Sequence, residues 1–211
     1  MHVVATDALE GDRRPPAAMS DDFVDVVGDR PWSWLRQVHG ATVRRVDAPG
    51  EHVGAEGDGL VTVLRDSLLV VFAADCAPLA FGSPEGVVGV AHAGWRGVLA
   101  GVIEATVSEM RLLGATNVLA WRGACIRPCC YPFGVDDLDL AADQLGPIVR
   151  STTRAGEPAF DLPAAVRVAL ERAGAVLVGE EPTCTACGDG WFSWRARQDR
   201  ARACVGAWSA A

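Results

Sequence analysis

A thiol and an imidazole are brought together by the pattern of the stretch from Leu68 to Gly97. The pattern predicts a strand at 68–73 that is followed by a break at 75–78. A short strand at 79–81, a turn at 82–86 and another strand at 87–91 complete the stretch. If the two later strands pair around the turn as a hairpin, Phe81 faces Val87, and the continued register sets Cys76 about level with His92. The sequence therefore predicts a Cys and a His at one end of a sheet.

Three interpretations fit this Cys76/His92 pair. The thiol is a nucleophile with the imidazole as its base, both side chains are ligands of a metal such as zinc, or a buried thiol simply lies beside a core histidine. The residues after His92, Ala-Gly-Trp-Arg-Gly at 93–97, favour a functional site. Glycines at a strand-to-helix turn let the backbone approach a ligand, and helix N–H groups can meet an anion there.

His39 completes a set of candidate metal ligands. Together, His39, Cys76 and His92 supply two nitrogen donors and one sulfur donor. Three protein ligands with room for a fourth match an open catalytic zinc site better than a closed structural one. Asp58 or Asp75 is expected to accept the hydrogen bond that orients a ligating histidine.

The remaining cysteines offer a rival zinc site made of thiolates alone: Cys125, Cys129, Cys130, Cys184, Cys187 and Cys204. Cys184 and Cys187 form a C-x2-C pair, which is half of a zinc-ribbon pattern, but the other cysteines do not supply a second C-x2-C. No thioredoxin-like β-α-β pattern precedes the pair. The spacing therefore argues against a structural zinc and against a redox role.

Length and composition predict one cytoplasmic domain over residues 1–211. The chain is 50% hydrophobic and can bury a full core. Its longest apolar run is far shorter than the roughly 20 residues of a membrane span, and the N-terminus has no signal-peptide pattern. Seven cysteines, an odd number, fit reduced thiols. The net charge of −8 argues against a nucleic-acid partner.

Strand and helix patterns alternate irregularly, which favours an α+β fold over a doubly wound sheet. Besides the central hairpin, strands are expected at 3–6, 23–27, 41–46, 59–63, 117–121, 176–178 and 204–208. Helices are expected at 97–113, 135–145 and 163–173. No glycine-rich phosphate loop of the known nucleotide-binding types follows a strand, so the sequence does not predict such a fold.

Several segments resemble the YfiH/YlmD family, also called laccase-domain or polyphenol oxidase proteins. They are RQVHG at 36–40, EGDGLVT at 56–62, ADCAPLAF at 74–81, VGVAHAGWRG at 88–97, PCCYPFG at 128–134, CTAC at 184–187 and FSWR at 192–195. The similarity runs from about Trp34 to the C-terminus. It implies an α+β fold with two mixed β-sheets flanked by helices, which is shared with a bacterial toxin deamidase.

The same resemblance implies that His39, Cys76 and His92 bind a catalytic zinc. The implied activity is phosphorolysis of purine nucleosides (adenosine, inosine, guanosine and methylthioadenosine), with adenosine deamination as a related reaction. The partners would be a purine nucleoside and phosphate, and the resemblance leaves a homo-oligomer open. Members of the family usually have a longer segment before QVHG, and the roughly thirty residues found there in this chain do not resemble it. Part of the substrate pocket is therefore expected to differ.

Substrate contacts are expected from residues near the ligand set: Arg36, Gln37, Asp58, Asp75 and Arg96. The two arginines are the expected phosphate clamp, because guanidinium binds phosphate oxygens bidentately, and Arg195 is a weaker third candidate.

Two other function classes stay open. One is a metal-independent Cys/His hydrolase or amidase, and the other is a non-catalytic binding domain that retains the pocket. A true laccase is not expected, because the chain has only four histidines and a multicopper centre needs His-rich ligation. Copper is expected only as an adventitious occupant of the zinc site.

Overall fold

The structure is a computed structural model that describes residues 2–5 and 30–210, so the expected strand at 23–27 lies outside the described residues. The strands are, in chain order, β1 (His2–Ala5), β2 (Trp32–Arg36), β3 (Val43–Arg45), β4 (Ala55–Glu56), β5 (Gly59–Thr62), β6 (Leu68–Ala73), β7 (Ala77–Gly82), β8 (Val88–Ala93), β9 (Val118–Arg122), β10 (Arg150–Thr152), β11 (Pro158–Phe160), β12 (Ala175–Glu180) and β13 (Ala203–Trp208). The α-helices are α1 (Trp95–Ala100), α2 (Val102–Leu112), α3 (Val135–Leu145), α4 (Leu162–Ala173) and α5 (Trp194–Arg197), and short 3-10 helices span Pro128–Cys130 and Pro147–Val149.

Two mixed sheets confirm the predicted α+β class. One sheet has the order β1-β13-β6-β2-β4, and the other has the order β12-β9-β7-β8-β5-β3. Each contains both parallel and antiparallel neighbours: β13 is antiparallel to β6, which is parallel to β2, and β12 is parallel to β9, which is antiparallel to β7. Strands β10 and β11 form a separate antiparallel ribbon.

The five-stranded sheet, the six-stranded sheet and the helices form three layers, because the sheet faces between them are apolar. Between the sheets, Leu60 and Val90 of the six-stranded sheet pack in one cluster with Leu69 and Val205 of the five-stranded sheet. The opposite face of the six-stranded sheet packs against the helices in a larger cluster that includes Ile103 of α2. The strands β6, β7 and β8 are buried along their whole length, as their continuous apolar sequence predicts.

The predicted central hairpin forms, but its predicted register is wrong by two residues. Phe81 faces Gly89, and Pro78 faces His92. The turn takes up residues 83–87, where the Ser83 amide donates to the Val87 carbonyl over 3.0 Å, so Gly82 stays in the strand. Because side chains alternate with a period of two, a two-residue shift keeps each one on its expected face.

The single helix expected over 97–113 is two helices. Gly101 adopts φ 88° and ends α1 in the left-handed conformation, which glycine reaches without steric cost. By contrast, the helix expected at 163–173 is confirmed as α4: the Asp161 carboxylate accepts a hydrogen bond from the Ala164 amide at its start, and Gly174 ends it with φ 66°. Among the described residues, no helix is long and apolar enough to cross a membrane.

Four chain segments meet at one end of the six-stranded sheet. Cys76 directly precedes β7, and His92 lies near the end of β8. The His92 amide donates to the carbonyl of Asp58, which precedes β5, over 2.8 Å. The loop between β2 and β3 carries His39 to the same place.

Candidate active site

The structure brings His39, Cys76 and His92 together, and their candidate ligand atoms all lie within 4.8 Å of one another. The two imidazole rings meet edge to face, with centroids 4.8 Å apart and planes at 74°. His92 is buried, Cys76 is half-buried and His39 is exposed. His39 has φ 61°, so its loop holds the backbone in the left-handed region to present the ring.

Gly94 is the close neighbour that this cluster requires. A Cβ atom at position 94 would lie 2.8 Å from the Cys76 Sγ and 3.0 Å from the His39 Cδ2. Both distances are shorter than ordinary van der Waals contacts, so only glycine fits without displacing a member of the cluster. The glycine of the AHAGWRG segment therefore sets how closely the thiol and the imidazole approach.

Asp58 orients the cluster from behind. Its Oδ1 atom accepts hydrogen bonds from the His39 amide (2.9 Å) and from His92 Nδ1 (2.9 Å), and its Oδ2 atom accepts from the amides of Gly40 (2.8 Å) and Val38 (3.3 Å). The carboxylate is fully buried and does not line the cavity described below. Burial alone would raise the pKa of Asp58, but the hydrogen bonds from His92 and the amides hold it below its usual value.

Cys76 and His92 shift each other's pKa. Burial by itself would raise the pKa of the Cys76 thiol, but the neighbouring His92 and His39 imidazoles lower it to about 6. Burial would likewise lower the pKa of His92, but the Cys76 thiolate and the Asp58 carboxylate raise it to about 9. The thiolate form of Cys76 is therefore the form present at neutral pH, as both metal ligation and nucleophilic attack require.

A cavity of about 600 Å³ opens onto this cluster. Besides the three candidate ligands, aromatic side chains line it: Trp34, Phe72, Trp95, Tyr131 and Trp194. None of these five residues is a candidate site residue from the sequence alone, although Trp95, Tyr131 and Trp194 lie inside the family motifs. An aromatic residue inside a sequence motif does not by itself reveal whether it faces a core or a cavity.

Asp75 connects the cavity wall to the C-terminal segment. Its Oδ1 atom accepts from the Thr185 hydroxyl over 2.8 Å, and its Oδ2 atom accepts from the Arg195 amide over 2.7 Å. Asp75 has φ 106°, a conformation that non-glycine residues rarely adopt. The carboxylate therefore positions Arg195 at the cavity mouth and does not contact the His92 ring that Asp58 orients.

The other residues expected to contact substrate are placed differently. Gln37 lines the cavity, and its amide group forms two hydrogen bonds with the Phe72 backbone, at 2.7 and 2.8 Å. Arg96 lines the cavity with its guanidinium 4.3 Å from the Trp95 ring centroid. Arg36 instead forms an exposed salt bridge with Glu56 and is not among the cavity-lining residues.

Arg195 also lines the cavity. Its guanidinium lies 4.8 Å from the Tyr131 ring centroid and donates to the Pro132 carbonyl over 3.0 Å. Burial raises the pKa of the Tyr131 hydroxyl well above its usual value, so the phenol stays protonated at neutral pH. The Arg96 and Arg195 side chains and the neutral phenol of Tyr131 thus line the same cavity.

The two other histidines lie apart from this cluster. The His2 ring stacks on Trp208 with centroids 5.2 Å apart, and His52 Nε2 bonds to the Arg45 carbonyl over 2.8 Å. Within residues 2–5 and 30–210, neither belongs to a group of three side chains close enough to share an ion.

Comparison with known proteins points to one family. A family model described as "Multi-copper polyphenol oxidoreductase laccase" matches residues 18–209. The purine nucleoside phosphorylase SCO2081 of Streptomyces coelicolor is 37% identical over 166 residues, which are 77% of this chain and 68% of that protein. The purine nucleoside phosphorylase YlmD of Geobacillus stearothermophilus is 32% identical in an alignment of 213 residues that covers 86% of this chain and 77% of that protein.

Solved structures share the fold. The crystal structure of YlmD from Geobacillus stearothermophilus superposes with a TM-score of 0.76 at 27% identity and covers 99% of this chain and 91% of that one. Protein NMB0706 of Neisseria meningitidis has a TM-score of 0.81 at 24% identity, with 100% and 91% of the two chains covered. The YfiH protein of Bacillus licheniformis has a TM-score of 0.77 at 22% identity, with 97% and 91% covered.

Proposed function

Because the chain belongs to the YfiH/YlmD family of laccase-domain proteins, we propose that it is a zinc-dependent purine nucleoside phosphorylase. One observation carries the proposal: the His39, Cys76 and His92 cluster lies in the wall of a cavity that also presents aromatic rings and arginines. A purine nucleoside and phosphate need these three kinds of group. The names of the two relatives described above support the same reaction.

The donor set fits zinc. Two imidazoles and a thiolate are ligands that this ion prefers, and three protein ligands leave a position for a substrate atom. Asp58 occupies Nδ1 of His92, so Nε2 is the ring nitrogen left to act as a ligand. A carboxylate behind a ligating histidine is the usual arrangement at zinc sites. When bound, zinc would supply Lewis-acid polarisation of a substrate oxygen or nitrogen.

The aromatic side chains suit the purine. Flat rings stack on aromatic faces, and such stacking contributes about 1–3 kcal/mol per base. Trp34, Phe72 and Trp95 line the same cavity as the candidate ligands, so a base stacked there lies within reach of the cluster. The cavity volume of about 600 Å³ is within the range of pockets that enclose small molecules.

Arg96 and Arg195 are proposed to hold the phosphate. Both line the cavity, and no carboxylate in the described part of the chain forms a salt bridge with Arg96. A guanidinium without an acidic partner remains available for a phosphate oxygen. Arg36 is not part of this proposal, because its guanidinium is paired with Glu56 outside the cavity.

The proposed reaction balances without a further reactant. A phosphate oxygen forms a bond to the ribose C1′, and the bond from C1′ to the purine nitrogen breaks. The electron pair of that bond leaves with the base, which takes up the proton that the attacking phosphate loses. In this proposal the arginines hold the phosphate and the aromatic rings hold the base in one cavity, so that the phosphate and the ribose C1′ are brought together.

The test is incubation with adenosine, inosine, guanosine and methylthioadenosine, with and without phosphate, followed by chromatography. Phosphate-dependent release of free base together with a sugar 1-phosphate is expected. Cys76→Ala should abolish it, while Cys204→Ala, which changes a buried cysteine that does not line this cavity, should not. No free base from any of the nucleosides would overturn the proposal.

Adenosine deamination is proposed as a related activity of the same cavity. Water adds to the purine C6 and ammonia leaves, so inosine forms without phosphate. Phosphate-free incubation with adenosine measures this reaction separately. If no inosine forms while free base appears with phosphate, the phosphorylase proposal stands and the deaminase proposal does not.

A metal-independent cysteine hydrolase or amidase is the second candidate. The lowered pKa of Cys76, about 6, and the raised pKa of His92, about 9, favour it, because thiolate and imidazolium together form a nucleophilic pair. Alkylation discriminates the two candidates, since a metal-bound thiolate is masked and a catalytic one is reactive. Rapid alkylation of Cys76 in metal-free protein that still turns over would favour the hydrolase.

Laccase chemistry is not proposed. Only two of the four histidines lie in the cluster, so the chain does not supply the ligands of a multicopper centre. Phenol oxidation in copper-loaded protein should disappear when copper is replaced by zinc.

A further inference from the structure

A second group of candidate metal ligands lies outside the cavity. The sulfur atoms of Cys129, Cys130, Cys184 and Cys187 all lie within 4.8 Å of one another. The first two belong to the 3-10 helix after β9, and the last two follow β12. Because β9 and β12 are parallel neighbours, their following loops leave the sheet at the same edge. The sequence spacing of the cysteines did not predict this group, because its two halves are more than fifty residues apart in the chain.

The sulfur distances match one tetrahedral ion. Zinc–sulfur bonds of about 2.3 Å place the sulfurs of a tetrahedral site about 3.8 Å apart. The Sγ atoms of Cys129 and Cys187 are 3.9 Å apart, and the longest separation in the group exceeds the ideal by only about 1 Å. A cluster of several iron atoms would hold its cysteine sulfurs farther apart than a single ion does.

Burial argues against an ordinary core role for these thiols. Cys187 is exposed, and Cys129 and Cys130 are half-buried. Core cysteines are typically enclosed, as Cys125 and Cys204 are in this protein. Cys184 is buried, but the other three thiols converge on it from the surface, so packing alone does not explain the group.

The C-x2-C turn is already shaped for a ligand. The Arg127 amide donates to the Cys184 Sγ over 3.4 Å, and the Gly188 amide donates to the Cys184 carbonyl over 2.7 Å. A Cβ atom at position 188 would lie 2.3 Å from the Thr183 Cγ2 and 2.7 Å from the Cys184 carbonyl oxygen, so only glycine fits. One amide thus donates to the Cys184 sulfur, and the tight turn that Gly188 allows holds the C-x2-C pair in place.

We propose that Cys129, Cys130, Cys184 and Cys187 bind one zinc ion in a closed structural site, separate from the His39/Cys76/His92 cluster. The ion would cross-link the loop after β9 to the loop after β12. Four protein ligands leave no position for substrate, so the site stabilises the fold and takes no part in the reaction.

The cross-link would also support the cavity. Thr185, between the two cysteines of the C-x2-C pair, donates its hydroxyl to Asp75, which accepts from the Arg195 amide. Arg197 donates to the carbonyls of Thr185 and Ala186 over 3.2 and 3.0 Å. The zinc would thus fix the segment that carries Arg195 to the cavity mouth.

The test is elemental analysis of protein purified under reducing conditions without added metal. Cys184→Ser/Cys187→Ser and, separately, Cys129→Ser/Cys130→Ser should each lose one zinc per chain relative to wild type and should melt at lower temperature. Cys204→Ser is the matched control and should keep wild-type zinc. The single variant Cys187→Ser changes an exposed side chain and keeps the test valid if a double variant fails to fold.

The two zinc proposals fail independently. His39→Ala and Cys76→Ala report only the cavity site, so zinc that survives both variants but not the cysteine pairs belongs to the four-cysteine site. Unchanged zinc in both cysteine pairs would overturn the inference. Iron in place of zinc, or disulfides among these four residues in protein purified under reducing conditions, would overturn it as well. Cobalt substitution should give intense sulfur-to-metal charge-transfer absorption that His39→Ala keeps, and the cysteine pairs should reduce it to the weaker absorption of the single Cys76 thiolate in the cavity.

Discussion

Asp58 shows how much of the site depends on one buried carboxylate. Each of its two oxygens accepts two hydrogen bonds, so Oδ1 is shared by His39 and His92 while Oδ2 is shared by Val38 and Gly40. The same side chain therefore orients one candidate ligand and shapes the loop of another.

Asp58→Asn should weaken zinc binding at the cavity by roughly 10- to 100-fold. The asparagine NH2 group cannot accept a hydrogen bond. In one orientation it would face the His39 amide and His92 Nδ1, and in the other it would face the amides of Val38 and Gly40, so two hydrogen bonds are lost either way. Competition with a chromogenic chelator, carried out in the Cys184→Ser/Cys187→Ser background, measures this site alone. Asp47→Asn, which changes an exposed aspartate, is the control. Wild-type zinc affinity in Asp58→Asn would contradict the role assigned to this carboxylate.

Arg96→Ala should raise the phosphate KM by about 10- to 100-fold, from the 1.5–3 kcal/mol typical of a charged hydrogen bond. The nucleoside KM and the deamination of adenosine should change much less, because neither involves the anion. Steady-state kinetics with phosphate varied at saturating nucleoside provides the measurement. Arg36→Ala removes the same charge outside the cavity and should behave as wild type. Equal loss of phosphorolysis and deamination in Arg96→Ala would indicate a role in packing or in base binding.

At the scale of elements, the turn from β8 into α1 sets the geometry of the cluster. β8 delivers His92, and α1 begins at Trp95, so only Ala93 and Gly94 separate the ligand from the helix. The Gly94 carbonyl accepts the first helical hydrogen bond, from Val98, over 2.9 Å. The backbone here cannot move away without disturbing the helix.

Gly94→Ala should therefore remove activity and lower the zinc content of the cavity. The added methyl group would lie 2.8 Å from the Cys76 Sγ, so the thiol or His39 has to shift. Gly134→Ala is a matched control, because nothing lies within 4 Å of a Cβ there and Gly134 has φ −62°. Activity and zinc content are measured for both variants. Wild-type values for Gly94→Ala would show that the cluster tolerates a wider spacing.

Across the whole molecule, a partly buried group of charges joins the edge of the six-stranded sheet to a helix. The fully buried Arg122 of β9 donates to Glu180 of β12 over 3.0 Å, and Arg167 of α4 donates to the same carboxylate over 2.7 and 2.9 Å. Burial alone would raise the pKa of Glu180, but the two guanidinium groups hold it below its usual value.

Glu180→Gln should lower the free energy of unfolding at pH 7 by about 1–3 kcal/mol, because Arg122 loses its buried charge partner. A carboxyl group with a lowered folded-state pKa contributes stability above its unfolded pKa and loses it as the pH falls through the folded pKa. The difference between variant and wild type should therefore shrink from about pH 5 downward. Urea titrations at several pH values measure it, with Glu171→Gln as the exposed control. A difference that does not depend on pH would mean that charge is not the cause.

Local residue patterns were enough to predict the structural features that depend on residues close together in the chain. The caps of α4, the apolar strands β6 to β8 and the left-handed stop at Gly174 follow from residues within a few positions of one another. The α+β class and the family also followed, because the motifs that identify them are short. The register of the hairpin was missed by two residues, since the choice between Gly82 and Ser83 as the start of the turn depends on a single closing hydrogen bond.

Which of the candidate site residues come together in space depends on the tertiary structure. Arg36 and Arg96 are equally close in sequence to a candidate ligand, yet one is paired with Glu56 at the surface and the other lines the cavity. The four-cysteine group likewise depends on the parallel pairing of β9 with β12, which joins residues more than fifty positions apart. Contacts at such separations depend on how sheets and helices pack, and local residue patterns carry no record of that packing.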